Sequence, residues 1–157
     1  MPAVRSAGLL LYRRTPALEV WIAHMGGPFW ERKDDGAWSI PKGLIEDTED
    51  EFAAARREFG EEVGTPAPEA DYRLLGEFRL SSGKSLTVFA AEAAFDPPDV
   101  RSNTFSLEWP PHSGAVQDFP EIDDARWFPL DQARSKLTKG QRPLLDALAE
   151  QQRRTDQ

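Results

Sequence analysis

The chain has 157 residues and no cysteine, so neither a disulfide framework nor a thiolate zinc site is open to it, and the composition fits a reducing cytoplasm. Long apolar runs are missing too. The longest, such as Gly8 to Tyr12, fall far short of the roughly 20 residues that a membrane-crossing helix needs, and no secretory leader with a cleavage region is visible. A cytoplasmic protein with no membrane partner is expected. Excess positive charge is also lacking: 19 Lys and Arg against 27 Asp and Glu leave a net charge of −8, whereas gripping a nucleic-acid backbone needs a basic surface. Nucleic acid is therefore excluded as an expected partner. A polyphosphate would be repelled as well unless cations intervene locally, either Lys and Arg side chains or bound metal. Internal repeats and dividing linkers are absent. One domain over 1–157 is expected, with an ordered core of about 4–150 and a fraying polar tail over 151–157; the 39% hydrophobic content suffices for a moderate core. The oligomeric state is left open.

Against these absences stands one dense stretch, residues 43–65, GLIEDTEDEFAAARREFGEEVGT. Thr48 followed three residues later by Glu51 reads as a capping box, and Asp50 and Glu51 add negative charge to a first turn. The pattern predicts a helix from about Glu49 to Val63, stopped by Gly64 and barred from continuing by Pro66. Phe52, Ala55, Phe59 and Val63 form its apolar stripe, and Glu58, Glu61 and Glu62 share a flanking face. A solvated acidic face with Arg57 paired to Glu61 is the bland alternative. Magnitudes oppose it: such a pair gains about 0.2–0.5 kcal/mol, whereas each close carboxylate pair costs from about 1 kcal/mol in water to about 4 at an effective dielectric of 20. Divalent cations would turn that repulsion into affinity, and oxygen ligands on a rigid helix suit Mg²⁺ or Mn²⁺.

These residues resemble the Nudix box of the MutT-like hydrolases: G, five residues, E, seven residues, then R-E-U-x-E-E-x-G-U, where U is bulky and apolar. Gly43, Glu49, Arg57, Glu58, Glu61, Glu62 and Gly64 fall in place with Phe59 as the first U, while Thr65 departs from the last. The departure touches packing at the helix exit, not the chemistry. The resemblance implies a Nudix fold, an α/β/α sandwich with a mixed central sheet and the box as loop-helix-loop. It also implies Glu58, Glu61 and Glu62 as Mg²⁺ ligands (Mn²⁺ as substitute), with the Gly43 carbonyl reaching a metal and Glu49 pairing with Arg57 to hold loop and helix in register.

Along the rest of the chain, 4–13 and 18–24 read as two strands around a Thr15-Pro16 turn, the second alternating Leu18, Val20 and Ile22. The loop GGPFWERKDDG follows, in which Phe29 and Trp30 either plug the core edge or stack on a ligand. Trp38 and Ile40 alternate inward in a short strand that Pro41 ends. Lys42 is then either a solvated loop lysine or, as the resemblance favours, a phosphate contact; Lys33 is a second candidate cation. Segments 72–80 and 84–93 flank a Ser81-Ser82-Gly83 hairpin turn. The proline-rich 96–120 is the least regular section, with a short strand at Phe105, Leu107 and Trp109 and a loop at 110–114 whose His112 reads as solvated. Asp131 reads as a cap for a helix through Leu137, and Pro143 opens a last helix with Leu144, Leu145 and Leu148 on one face. Asp34-Asp35-Gly36 lacks the spacing of an EF-hand, which weakens an acidic calcium module.

In Nudix proteins an acidic residue some six positions before a tryptophan supplies a further ligand or base; Glu121 before Trp127 matches, and Glu108 is the competitor. Glu58 and Glu121 both stay open as general base. The implied activity is Mg²⁺-dependent hydrolysis of a nucleoside diphosphate linked to another group, a small-molecule nucleotide substrate. Trp38 to Gly43 resembles the W-x-x-P-K-G entrance of dinucleoside polyphosphate hydrolases. Such substrates or nucleoside triphosphates, oxidised ones included, are therefore favoured over ADP-ribose or a nucleotide sugar. Phe29, Trp30, Trp109 and Phe119 offer flat faces to a base. A nucleotide-sensing Nudix domain without turnover is the reading from another class; such domains usually lose box glutamates, and this chain keeps them.

Overall fold

In the computed structural model, residues 4–14, 16–80 and 82–155 are described. Strands β1 (Arg5–Arg13) and β2 (Glu19–Met25) pair antiparallel at the centre and are buried along almost their whole length. Continuous burial means that both faces are covered. Leu10, Val20 and Ile22 enter one core, while Leu9, Leu11, Trp21 and Ala23 enter the other. Leu18 lies just before β2, so the expected alternation describes only one of its two buried faces.

The sheet runs β3 (Trp38–Ser39), β2, β1, β6 (Ser85–Glu92), β5 (Arg73–Arg79), with β4 (Lys42–Leu44) paired to β1 and β9 (Ile122–Pro129) to β2. β1 and β6 are parallel and the other pairs antiparallel, so the sheet is mixed. Helix α1 (Glu51–Val63) covers one face through Ala54, Ala55, Phe59 and Val63. The other face is covered by α2 (Leu130–Lys136) and α3 (Pro143–Thr155), through Ala133, Leu144, Leu145 and Leu148. This is the expected α/β/α sandwich.

Several local expectations fail for identifiable reasons. Thr48 does not cap α1: it sits at φ 68° in the preceding loop, and Asp50 caps instead, accepting from the Ala53 N–H at 3.0 Å. Glu49 therefore lies outside the helix, its carboxylate taken by Arg57 and the Glu46 N–H. Asp131 lies within α2; Pro129 holds the cap position without a side-chain bond. The tail does not fray at 151. α3 continues to Thr155, with Gln152 buried among its core-facing residues. Residues 96–120 contain a second strand that proline content hid: β7 (Thr104–Glu108) pairs with β8 (Val116–Pro120) in a two-stranded hairpin apart from the main sheet. Thr15 and Ser81 of the two anticipated turns lie outside the described residues.

Candidate active site

α1 stands beside β4 because β4 pairs with the first residues of β1, against which the helix packs. Gly43 is the contact point. A Cβ added there would lie 2.0 Å from the Glu58 carboxyl carbon, so only glycine lets the helix carboxylate rest on the strand. Glu121, in the single-residue link between β8 and β9, is brought over by backbone bonds. The Asn103 N–H donates to the Glu61 carbonyl at 3.0 Å, the Glu121 N–H donates to the Asn103 carbonyl at 2.9 Å, and the Gly26 N–H donates to the Glu121 carbonyl at 2.8 Å. Thus the exit of α1 and the end of β2 both fix where Glu121 stands. The same 101–103 segment covers the helix exit around Gly64 and Thr65: the Arg101 N–H donates to the Val63 carbonyl at 2.9 Å.

Arg57 organises the second half of the cluster. Its Nε and Nη2 make a bidentate pair with Glu49 at 2.8 and 2.9 Å, Nη1 reaches Glu58 at 2.9 Å and Glu61 at 3.3 Å, and Nη2 also donates to the Leu44 carbonyl at 3.0 Å. The i to i+4 pair with Glu61 is present, but as the longest of these contacts. The bidentate fork to Glu49 lowers that carboxyl to about 2 and, as its main cause, raises Arg57. One cation thereby ties the box loop to the helix.

Glu58, Glu62, Glu121 and Lys42 face one another. Burial raises the Glu62 carboxyl to about 8, and a hydrogen bond with Glu121 and the negative charge of that neighbour act in the same direction. Burial also raises Glu58, against the pull of Arg57. Lys42 is lowered by burial, opposed first by Glu62. It is therefore a half-buried strand residue beside the cluster, not a solvated loop lysine.

Among the described residues no three His, Cys, Asp or Glu side chains already enclose a point as a formed metal cluster. Arg57 holds Glu58 and Glu61 from one side. The donor set still fits a hard divalent cation: the side-chain donors are carboxylate oxygens, and burial and the neighbouring Glu121 disfavour the charged form of Glu62, which a cation would restore. The cradle that a Cβ at Gly43 would fill keeps Glu58 in reach.

The other sequence candidates scatter. Trp30 packs against the core with the α2 and α3 residues, whereas Phe29 is 62% exposed and carries the Lys33 ammonium 3.4 Å above its ring. Phe119 packs on Phe105, with ring centroids 6.1 Å apart, and Phe105 abuts Gly27. Glu108 accepts from the His112 N–H at 2.9 Å in the β7–β8 turn, where Trp109 also lies, so this carboxylate organises the hairpin end. Sequence reading missed His24, which is 8% exposed and bonded to Asp123 at 2.7 Å and to the Lys33 carbonyl at 2.6 Å. Its side-chain partner Asp123 lies 99 residues away and leaves no local signal.

A family model described as NUDIX domain matches residues 2–148. No curated protein matches the chain. Among solved structures, the chain is similar to a C. elegans Ap4A hydrolase in a binary complex: 22% identity, 92% of this chain and 96% of that one covered, TM-score 0.63. It is also similar to a MutT protein from Methanosarcina mazei Go1, at 15% identity with 96% of both chains covered and TM-score 0.62. A third is the NUDIX domain of Shewanella oneidensis NrtR complexed with ADP ribose, at 19% identity with 96% and 89% covered and TM-score 0.60. At these identities the likeness is one of fold.

Proposed function

Because this chain belongs to the Nudix family, we propose that it is a hydrolase of phosphoric anhydride bonds, namely a Mg²⁺-dependent pyrophosphohydrolase of dinucleoside polyphosphates or nucleoside triphosphates. What carries the reading is the convergence of Glu58, Glu62 and Glu121 beside Lys42. Glu58, Glu61, Glu62 and the Gly43 carbonyl would hold the metal. Mg²⁺, when bound there, would neutralise charge on the bridging phosphates and acidify the attacking water.

The chain's own groups do the rest. Lys42 holds phosphate oxygens, its stem buried and its charge set against the carboxylates. Arg57 and Glu49 fix the loop to the helix so that the ligands keep their spacing. Water adds to phosphorus, the anhydride P–O bond breaks, the leaving phosphate departs with the bond's electrons, and the water's proton passes to a carboxylate. Glu121 is favoured as that base over Glu58, one oxygen of which is committed to Arg57.

The W-x-x-P-K-G entrance at Trp38 to Gly43 and the Ap4A hydrolase among the similar folds support the dinucleoside polyphosphate class. ADP-ribose is the second reading, favoured by the NrtR domain that binds it. A panel of dinucleoside polyphosphates, nucleoside triphosphates, ADP-ribose and nucleotide sugars, with products separated by chromatography, is expected to give the highest kcat/KM in the first two groups. ADP-ribose or a nucleotide sugar leading by about tenfold, or 1.4 kcal/mol of transition-state stabilisation, would overturn the substrate class. Binding without product release from any of them would favour the sensing domain.

A further inference from the structure

Where β2 meets β9 the pairing skips a residue: His24 lies opposite Asp124 and Met25 opposite Ile122, so Asp123 is the extra residue of a β-bulge. The step decides which side chains enter the core. Ala125 and Trp127 pack on the α1 side of the sheet, and strict alternation would send Asp123 and then Glu121 after them. The bulge gives that place to Ile122, 5% exposed in the same core, and turns Asp123 towards His24. Beyond it the register is one step out. Glu121 rather than Ile122 therefore lies opposite Gly26, whose N–H donates to the Glu121 carbonyl at 2.8 Å. Because a one-residue slip exchanges the faces of the side chains, the bulge sets the direction in which Glu121 leaves the sheet.

His24 holds the bulge. It follows Val20 and Ile22 in the alternation of β2 and stands on the side of the sheet that α2 and α3 cover. Its Nδ1 is bonded to Asp123 Oδ1 at 2.7 Å, and its Nε2 donates at 2.6 Å to the Lys33 carbonyl, which can only accept. Trp38 stands edge-on to the ring with centroids 5.2 Å apart, and is itself fixed by the bond from its Nε1 to Asp34 at 2.9 Å. The imidazole is gripped at both nitrogens and on one side, so the bulged carboxylate is tied to a buried, fixed partner.

We propose that His24 and Asp123 are a positioning pair for Glu121: their bond pins the bulge, and the bulge aims the Glu121 carboxylate at Glu58 and Glu62. For its effect on turnover the inference rests on the hydrolase reading above; for its effect on geometry it rests on the fold alone.

Asparagine places its amide nitrogen where Nδ1 stands and glutamine where Nε2 stands, so the two bonds of His24 can be removed separately. His24→Gln keeps the Lys33 bond and loses Asp123; it should lower kcat by about tenfold or more with KM within about twofold. His24→Asn keeps the Asp123 bond and should hold kcat within about threefold of wild type. Asp123→Ala removes the same bond from a side chain that is 37% exposed, where truncation leaves no core cavity, and should match His24→Gln, with little further loss when the two are combined. In the isotopically labelled full chain, the amide resonances of Glu121 and of Asn103, its backbone partner, should move in His24→Gln and Asp123→Ala and stay near wild type in His24→Asn. The reverse ranking of the two His24 variants, or Glu121 and Asn103 amides that stay in place when Asp123 is truncated, would overturn the assignment. If no substrate is turned over, the hydrolase reading falls, and the amide shifts by themselves decide for or against the pinned bulge.

Discussion

Arg57 is the residue on which the geometry of the box turns, because one guanidinium holds Glu49, Glu58 and Glu61 and the Leu44 carbonyl together. Removing it frees the loop and leaves three carboxylates without their shared cation. Arg57→Ala is therefore expected to raise the Mg²⁺ concentration at half-maximal rate by about tenfold or more, the usual cost of losing a partner that orients ligands. An unchanged metal dependence would remove the orienting role. Glu121 and Glu108 separate cleanly at this scale. Glu121→Gln should lower kcat by about a hundredfold, within the range for a general base, whereas Glu108→Gln should leave turnover near wild type because that carboxylate bonds the His112 N–H in the β7–β8 turn. The opposite ranking in a turnover assay would transfer the role to Glu108.

At the scale of elements, the site depends on how α1 begins and on how β2 hands over to β9. Asp50 supplies the one side-chain cap of α1, so Asp50→Ala should cost about 0.5–2 kcal/mol in denaturant unfolding, while Thr48→Ala should cost less. Equal losses would restore Thr48 as the cap. The sequence carries the helix and its glycine stop plainly, since periodicity and Gly64 are local signals. The starting residue was illegible because Glu49, a good first-turn residue by composition, is drawn away by Arg57 eight positions later. The β7–β8 hairpin was half legible for a related reason: Phe105 and Leu107 alternate, but Val116 to Pro120 has mostly exposed side chains and ends in proline. Gly26 reports the handover. A Cβ there would lie 2.1 Å from the Pro120 carbonyl oxygen, so Gly26→Ala should shift the link that carries Glu121 and lower kcat more than it lowers the melting temperature.

Across the whole molecule, the box could be read in advance because a fixed motif announces itself in a short window, and the three layers and mixed sheet followed from the resemblance it carries; the nearly continuous apolar run of β1 was legible, whereas β2 read as alternating and is buried on both faces. What brings Glu121, Asp123 and His24 to their places is contact between distant segments, and no window contains it. The charge balance then sets a pH signature. The folded, metal-free protein holds a proton on Glu62 up to about pH 8 that the unfolded chain releases near its ordinary 4.5. Stability should accordingly fall as pH rises through that window. Glu49 acts in the other direction: its carboxyl is depressed to about 2, so its contribution is complete above about 4.5 and is lost as pH falls towards 2. On the proposed reading, saturating Mg²⁺ would replace the proton at the cluster and should raise the melting temperature more at pH 8 than at pH 5.5. Equal shifts at the two pH values would mean that the ion binds away from Glu62.

The central claim is that the box carboxylates form a cation site that drives anhydride hydrolysis, and it is tested most directly by turnover against Mg²⁺ concentration for wild type and Glu62→Gln. Wild type should show saturable Mg²⁺ dependence and no turnover in chelator, and the folded variant should lose at least about a hundredfold in kcat, since a lost ligand removes several kcal/mol of charge stabilisation. Hydrolysis that persists without divalent ions, or a variant that matches wild type at saturating Mg²⁺, would contradict it.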